Sequence, residues 1–126
     1  MTQLKLRILF DGAMLGPGKA DLLGRIARTG SIAAAGREMD MSYKRAWSLV
    51  EEMNAAFSQP LVQSARGGPG GGGARLTETG EQVLALYRDV LLRAEAAAAA
   101  PLATLEALLA PRQARGGAQG GGVQGG

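Results

Sequence analysis

The chain contains neither cysteine nor histidine. Disulfide frameworks, zinc fingers and catalysis by a thiolate or an imidazole are thereby excluded. Its serines have no imidazole to activate them, and Glu51-Glu52 is an adjacent, solvent-facing pair rather than two carboxylates across a cleft. No enzyme activity is therefore expected, and no cofactor. There is no apolar run of about 18 residues, so no membrane span is expected. The short apolar stretch at the N-terminus is interrupted by Lys5, Arg7 and Asp11, which does not fit a secretory leader, and a cytoplasmic location is the expectation.

Aromatic residues are scarce: Phe10, Tyr43, Trp47, Phe57 and Tyr87. Three of them fall between positions 43 and 57, a stretch expected to anchor the core. Charge is only mildly unbalanced, at +3 with a pI near 9.8. Between Arg37 and Arg75 the basic residues are Arg37, Lys44, Arg45, Arg66 and Arg75, against Glu38, Asp40, Glu51 and Glu52. An anionic partner would have to be met by where the charges stand, since their sum is so small.

Glycine, by contrast, is abundant, with 20 residues. Much of it lies in two places. Residues 116–126 are mostly glycine and glutamine, have little to bury, and are expected to be a disordered tail. Gly67-Gly68-Pro69-Gly70-Gly71-Gly72-Gly73 lies between two short segments of strand character, Pro60–Ala65 and Ala74–Thr77. It lacks the Gly-Lys-Ser/Thr ending of a phosphate-binding loop and precedes a strand rather than a helix. Two readings remain for it: a flexible linker, or the tip of a hairpin that approaches a nucleic-acid backbone through bare amides, flanked by Arg66 and Arg75.

Hydrophobic periodicity supplies the other elements. Gln3–Phe10 alternates as a half-buried strand, with Leu4, Leu6, Ile8 and Phe10 on one face, and Gly16-Pro17-Gly18 ends it. Lys19–Thr29 has the spacing of an amphipathic helix, stopped by Gly30. Ser31 caps a short Ala- and Gly-rich helix, Ile32–Met39, able to approach a neighbour closely. After a turn at Asp40-Met41, Ser42 caps a third helix running to Phe57. On its wheel Ala46, Leu49, Val50, Met53 and Phe57 share a face, Lys44, Ser48 and Glu51 oppose them, Arg45 and Glu52 flank the outward side, and Tyr43 and Trp47 flank the core side. Thr77 caps a fourth helix with Glu78 and Glu81 in its first turn. Val83, Leu84, Leu86, Tyr87, Val90, Leu91 and Ala94 give that helix a broad apolar face, suited to its own core or to a second copy of the chain. Pro101 is expected to kink or end it, with Leu102–Ala110 as one more short helix.

The order is strand, three helices, two strands, helix. This is the layout of a winged helix-turn-helix, an α+β fold that is mainly helical, with a glycine-rich β-hairpin wing and a long C-terminal dimerisation helix. Expected boundaries are 1–100 for the DNA-binding domain with its N-terminal strand and fourth helix, 101–115 for a short helix or extension, and 116–126 for the tail. A recognition helix enters a DNA major groove about 12 Å wide with its N-terminal residues nearest the bases. The third helix carries Lys44 and Arg45 at that end and Glu51 and Glu52 at the other, a gradient that suits such insertion. The same wheel also fits an ordinary amphipathic helix with a solvated face.

The residues also carry a family resemblance. Gly30-Ser31-Ile32-Ala33-Ala34-Ala35 followed by Met41-Ser42 resembles the helix-turn-helix of LysR-type regulators, and Leu76-Thr77-Glu78-Thr79-Gly80 resembles their entry into the fourth helix. Ser42-Tyr43-Lys44-Arg45-Ala46-Trp47, Glu52-Met53-Asn54, Gly67 to Ala74 and Leu76-Thr77 are similar, in order and spacing, to the DNA-binding domain of the ModE family of molybdate-responsive regulators. The resemblance covers Leu4 to Glu95. It implies a homodimer that binds double-stranded promoter DNA of molybdate-transport or molybdoenzyme genes. Ser42, Tyr43, Lys44 and Arg45 become DNA-contact candidates, Trp47 an anchor and the glycines of the wing a backbone contact. With Ser31, Ser48, Arg66, Gly70, Gly71 and Arg75 they make up the candidate DNA-binding set. Full-length members of the family bind molybdate through β-rich C-terminal domains. Only Leu102–Gly126 follows the fourth helix here, so the expectation is a single-domain form whose effector site is absent or supplied by a separate molybdate-binding protein. A rival reading keeps the winged helix but uses it to bind a partner protein rather than DNA.

Overall fold

A computed structural model of the chain describes residues 2–66 and 72–111. The elements in order are β1 (Ile8–Phe10), β2 (Ala13–Leu15), α1 (Pro17–Thr29), α2 (Ile32–Glu38), α3 (Tyr43–Ala56), β3 (Val62–Arg66), β4 (Gly72–Leu76), α4 (Glu78–Ala97) and α5 (Ala99–Ala107). The helix-turn-helix and the hairpin stand where the sequence puts them. The fold is that of a winged helix-turn-helix, as expected.

The core is built mainly by α1 and α3. Leu22, Leu23 and Ile26 of α1 and Ala46, Val50 and Met53 of α3 are buried, joined by Ala35 from α2 and Leu61 from the approach to β3. Val62, Ala74 and Leu76 close the core from the wing side, and Leu84 and Tyr87 close it from α4. Local chemistry fixes the ends of these helices. Gly30 stops α1 at φ +71, where an L side chain is strained, and its N–H donates to the Ile26 carbonyl at 2.8 Å. The Ser31 hydroxyl accepts from the Ala34 N–H at 3.0 Å, and the Ser42 hydroxyl accepts from the Arg45 N–H at 3.0 Å. Asp40 takes the left-handed turn between α2 and α3 at φ +57, a conformation aspartate tolerates better than most residues. Gly36 lets α2 lie against α3: a Cβ there would come within 2.9 Å of the Ala46 Cβ.

Several expectations need correction. Gln3–Phe10 does not form one strand. Only Ile8–Phe10 is extended in a ladder, because Asp11-Gly12 reverses the chain into β2, with Phe10 opposite Ala13 and Ile8 opposite Leu15. Gly12 makes the turn at φ +86. The first helix starts at Pro17 rather than Lys19, with the fixed φ of proline placed in its first turn. The second wing strand begins at Gly72, so the ladder reaches into the glycine run, with Arg66 opposite Gly72 and Val62 opposite Leu76. Pro101 does not break the fourth helix; the break comes earlier, at Ala98, and Pro101 sits in the first turn of α5, where its missing N–H costs little. The stretch from Tyr43 to Phe57 does anchor the core, but through Ala46, Leu49, Val50 and Met53 rather than through its aromatic rings. Tyr43 is 56% exposed, Trp47 and Phe57 are half-buried at the core edge, and the buried aromatic is Tyr87, 4% exposed. The expected tail at 116–126 lies outside the described residues.

Candidate nucleic-acid interface

The exposed side of α3 carries Lys44 on its crest and Arg45 on its flank, both in the first turn. Neither has an ion-pair partner among the described residues. Glu51 and Glu52 stand about two turns further along, and Glu52 is held by Lys19 at 3.2 Å. The helix therefore presents its unpaired positive charge at the N-terminal end, the end that a major groove receives first. Ser48, half-buried, follows on the same side. The Ser31 and Ser42 hydroxyls each accept a capping bond, which leaves their own O–H free to donate outward.

Tyr43 departs from its expected place beside the core. Its ring stands at the mouth of a groove, edge-on to Trp47 with centroids 6.4 Å apart, and the Trp47 indole N–H donates to its hydroxyl. This groove, of about 530 Å³, runs between α3 and the wing, and Ser31, Tyr43, Trp47, Asn54, Gln63 and Ser64 give it its polar lining. The exposed Gln63 and Ser64 of β3 were not among the sequence candidates. Burial along this strand does not alternate, since Val62 is buried and both Gln63 and Ser64 after it are exposed, so strand periodicity does not single them out.

Two connections hold the wing at a fixed place beside α3. Asn54 reaches from α3 to β3: its Oδ1 accepts from the N–H groups of Leu61 at 2.8 Å and Val62 at 3.1 Å, and its Nδ2 donates to the Val62 carbonyl at 3.1 Å. On the other strand the Ala74 N–H donates to the Gly30 carbonyl at 2.9 Å. Gly73 permits that approach, since a Cβ there would come within 3.1 Å of the same carbonyl oxygen. Arg75, opposite Gln63, is exposed and without an ion-pair partner among the described residues. The candidates Gly70 and Gly71 lie outside the described residues. Arg66 ends β3, and its side chain is also outside what is described.

Part of the charge elsewhere is paired within the fold, most densely where α1 meets α2. Glu38, at the end of α2, receives Arg28 and also Arg25 at 3.0 Å, and Arg25 pairs in turn with Asp21 at 2.9 Å. The hydrogen bond from Arg28 holds the Glu38 carboxyl below the usual carboxylate range, with Arg25 adding to the effect. The Arg25 guanidinium is held further above its usual value, chiefly by Asp21. Burial pushes the Tyr87 phenol up, and its hydroxyl donates to the Leu6 carbonyl at 2.5 Å. Among the described residues no helix is long and apolar enough to cross a membrane.

Comparison with known proteins agrees with this geometry. Residues 20–81, from α1 to the first turn of α4, match the family described as bacterial regulatory helix-turn-helix protein, lysR family. The chain is 50% identical over 76 residues to the molybdenum-pterin-binding protein MopB of Rhodobacter capsulatus, an alignment covering 60% of this chain and 28% of that protein. It is 44% identical over 71 residues to the DNA-binding transcriptional dual regulator ModE of Escherichia coli, covering 56% and 27%. It is 37% identical over 99 residues to the molybdenum transport protein ModE of Azotobacter vinelandii, covering 76% and 37%. The chain thus spans roughly a quarter to just over a third of the length of these relatives. Residues 20–81 thus match the helix-turn-helix domain of the LysR-type family of bacterial regulatory proteins, and this part of the chain is similar to the corresponding part of ModE and MopB.

Proposed function

We propose that this chain is a sequence-specific DNA-binding transcriptional regulator of molybdate-transport or molybdoenzyme genes. One observation carries the reading: the unpaired, exposed Lys44 and Arg45 at the leading turn of α3, beside a wing strand that presents Arg75. Lys44 and Arg45 reach guanine edges or phosphates. Ser42 and Ser48 orient the helix, Ser31 meets the backbone at the start of α2, and Arg66, Gly70, Gly71 and Arg75 meet it along the wing. The link to molybdenum rests on the names of the relatives and on the motifs shared with them. The functional division follows the expected one, with residues 1–100 binding DNA and α5 as an extension. α4 joins two copies through its exposed apolar residues.

The test is a gel-shift assay at controlled salt, comparing the unaltered chain with the double variant Lys44→Ala, Arg45→Ala. Each lost base contact is expected to remove about 1–3 kcal/mol of discrimination. Each lost phosphate contact is expected to lower the salt slope by about one. Unchanged binding in the double variant would sink the proposal. A salt-independent response to mixed-sequence duplex would do so as well, since phosphate contacts release counterions. Recovery of bound genomic fragments with and without molybdate would name the target genes.

A further inference from the structure

We infer that Arg7 and Arg45 form a second seat for the DNA sugar-phosphate backbone, on the flank of α3 opposite the wing, with Lys19 beside them offsetting Glu52. The inference rests on the DNA-binding reading above and adds a contact to it. A recess of about 400 Å³ opens where the N-terminal segment, the start of α1 and the first turns of α3 meet, and Arg7, Gly16, Lys19, Met41 and Arg45 are among the residues that line it. Three cationic side chains thus converge there from three different parts of the chain.

Their pairing decides what they can still bind. Lys19 donates to the Met14 carbonyl at 3.2 Å and neutralises Glu52 at 3.2 Å. Arg7 and Arg45 have no ion-pair partner among the described residues, and the first turn of α1 contains no acidic residue to oppose them. The stem of Arg7 is laid against the chain at Gly16, where a Cβ would come within 3.3 Å of its Cγ. A guanidinium held by its stem loses less freedom when it takes up an anion.

The geometry of α3 supplies the direction. Successive residues turn by about 100°, so Tyr43 and Trp47 lie on one flank, Lys44, Ser48 and Glu51 on the crest, and Arg45 and Glu52 on the other flank. A helix seated in a major groove about 12 Å wide has a phosphate rim on each side. The wing and the Tyr43–Trp47 groove face one rim. The recess faces the other, and its two unpaired guanidinium groups suit phosphate oxygens, which they engage in bidentate fashion.

The experiment measures binding of the full chain to a mixed-sequence DNA duplex over a range of salt concentrations. It compares the unaltered chain with Arg7→Ala, Arg7→Lys and Lys44→Ala, with thermal melting of each. Arg7→Ala is expected to weaken binding and lower the salt slope by about one. Arg7→Lys, which keeps the charge, is expected to retain the slope. If Arg7→Ala keeps the original slope while Lys44→Ala loses its share, the second seat is overturned and the DNA-binding reading stands. If Arg7→Lys loses as much as Arg7→Ala, or if the loss tracks a lowered melting temperature, Arg7 serves packing against Gly16 and the inference also falls. If the unaltered chain shows no salt-dependent binding, both readings fall.

Discussion

Gly36 is the residue on which the helix-turn-helix closes, because no side-chain atom can stand between α2 and Ala46 of α3. Replacing a helical glycine by alanine gains about 1 kcal/mol of helix propensity, while overpacking a close crossing costs about 1–3 kcal/mol. Valine forfeits most of that propensity gain and adds two methyl groups. Gly36→Val is therefore expected to destabilise the fold by about 2–3 kcal/mol, and Gly36→Ala by less. Thermal melting reads the result, at about 4–8 °C per kcal/mol for a domain of this size. A melting temperature unchanged in Gly36→Val would show that α2 and α3 can part without loss. Other single residues were less legible. Ser31 and Ser42 could be read as caps because a cap acts within three residues. Asn54 could not, since its amide serves backbone groups seven and eight positions further on, a distance no helical wheel displays. Tyr43 was misplaced for a related reason. Its angle puts it near the core edge, but its exposure depends on how far away the wing stands.

At the scale of elements, α1 and α2 are joined by charge as well as by packing. Glu38 is held below the usual carboxylate range mainly by Arg28, so its contribution to stability is complete above about pH 4.5 and is lost as pH falls from there through its lower folded value. Tyr87 has the opposite sign. Its value is raised by burial, so its contribution is complete below about pH 10 and is lost as pH rises from there through the raised value. Denaturation followed against pH is expected to show Glu38→Gln flattening the acid limb and Tyr87→Phe flattening the alkaline limb. A steep alkaline limb that persists in Tyr87→Phe would show that another group governs it. Helices were the most readable elements, because apolar periodicity is joined at one end of each of the first four by a local signal: Gly30 closes α1, and the hydroxyls of Ser31, Ser42 and Thr77 open α2, α3 and α4. The N-terminal hairpin was missed although Asp11-Gly12, a common hairpin turn, was in plain view. The alternation is real on the burial pattern from Leu4 to Leu9 and ends at the exposed Phe10, but alternation does not reveal where a strand acquires a partner.

At the scale of the whole molecule, α4 divides its apolar residues between two destinations. Leu84 and Tyr87 are buried against the protomer's own core, whereas Leu86 is 55% exposed and Val90 41% exposed, one helical turn apart on the same face. This exposed pair belongs to the proposed dimer contact. The double variant Leu86→Glu, Val90→Glu is expected to sediment as a monomer. Its monomeric fold should lose little stability, since surface substitutions usually stay within about 0.5 kcal/mol each. Persistence of a dimer in sedimentation would remove α4 from the interface.

The three hydrogen bonds from Asn54 and the bond from Ala74 to Gly30 have a consequence for any operator this protein reads. They tie the root of the wing to α3 through Asn54 and to the end of α1 through Gly30, so that α3 and the wing stand as the two prongs of one fork. On the proposed function, these bonds constrain the interval between the bases that a protomer reads and the phosphates met by the root of its wing. Tolerance for operators of unequal spacing has to come from elsewhere, and among the described elements α4, which would set one fork against the other, is where such tolerance would be tuned.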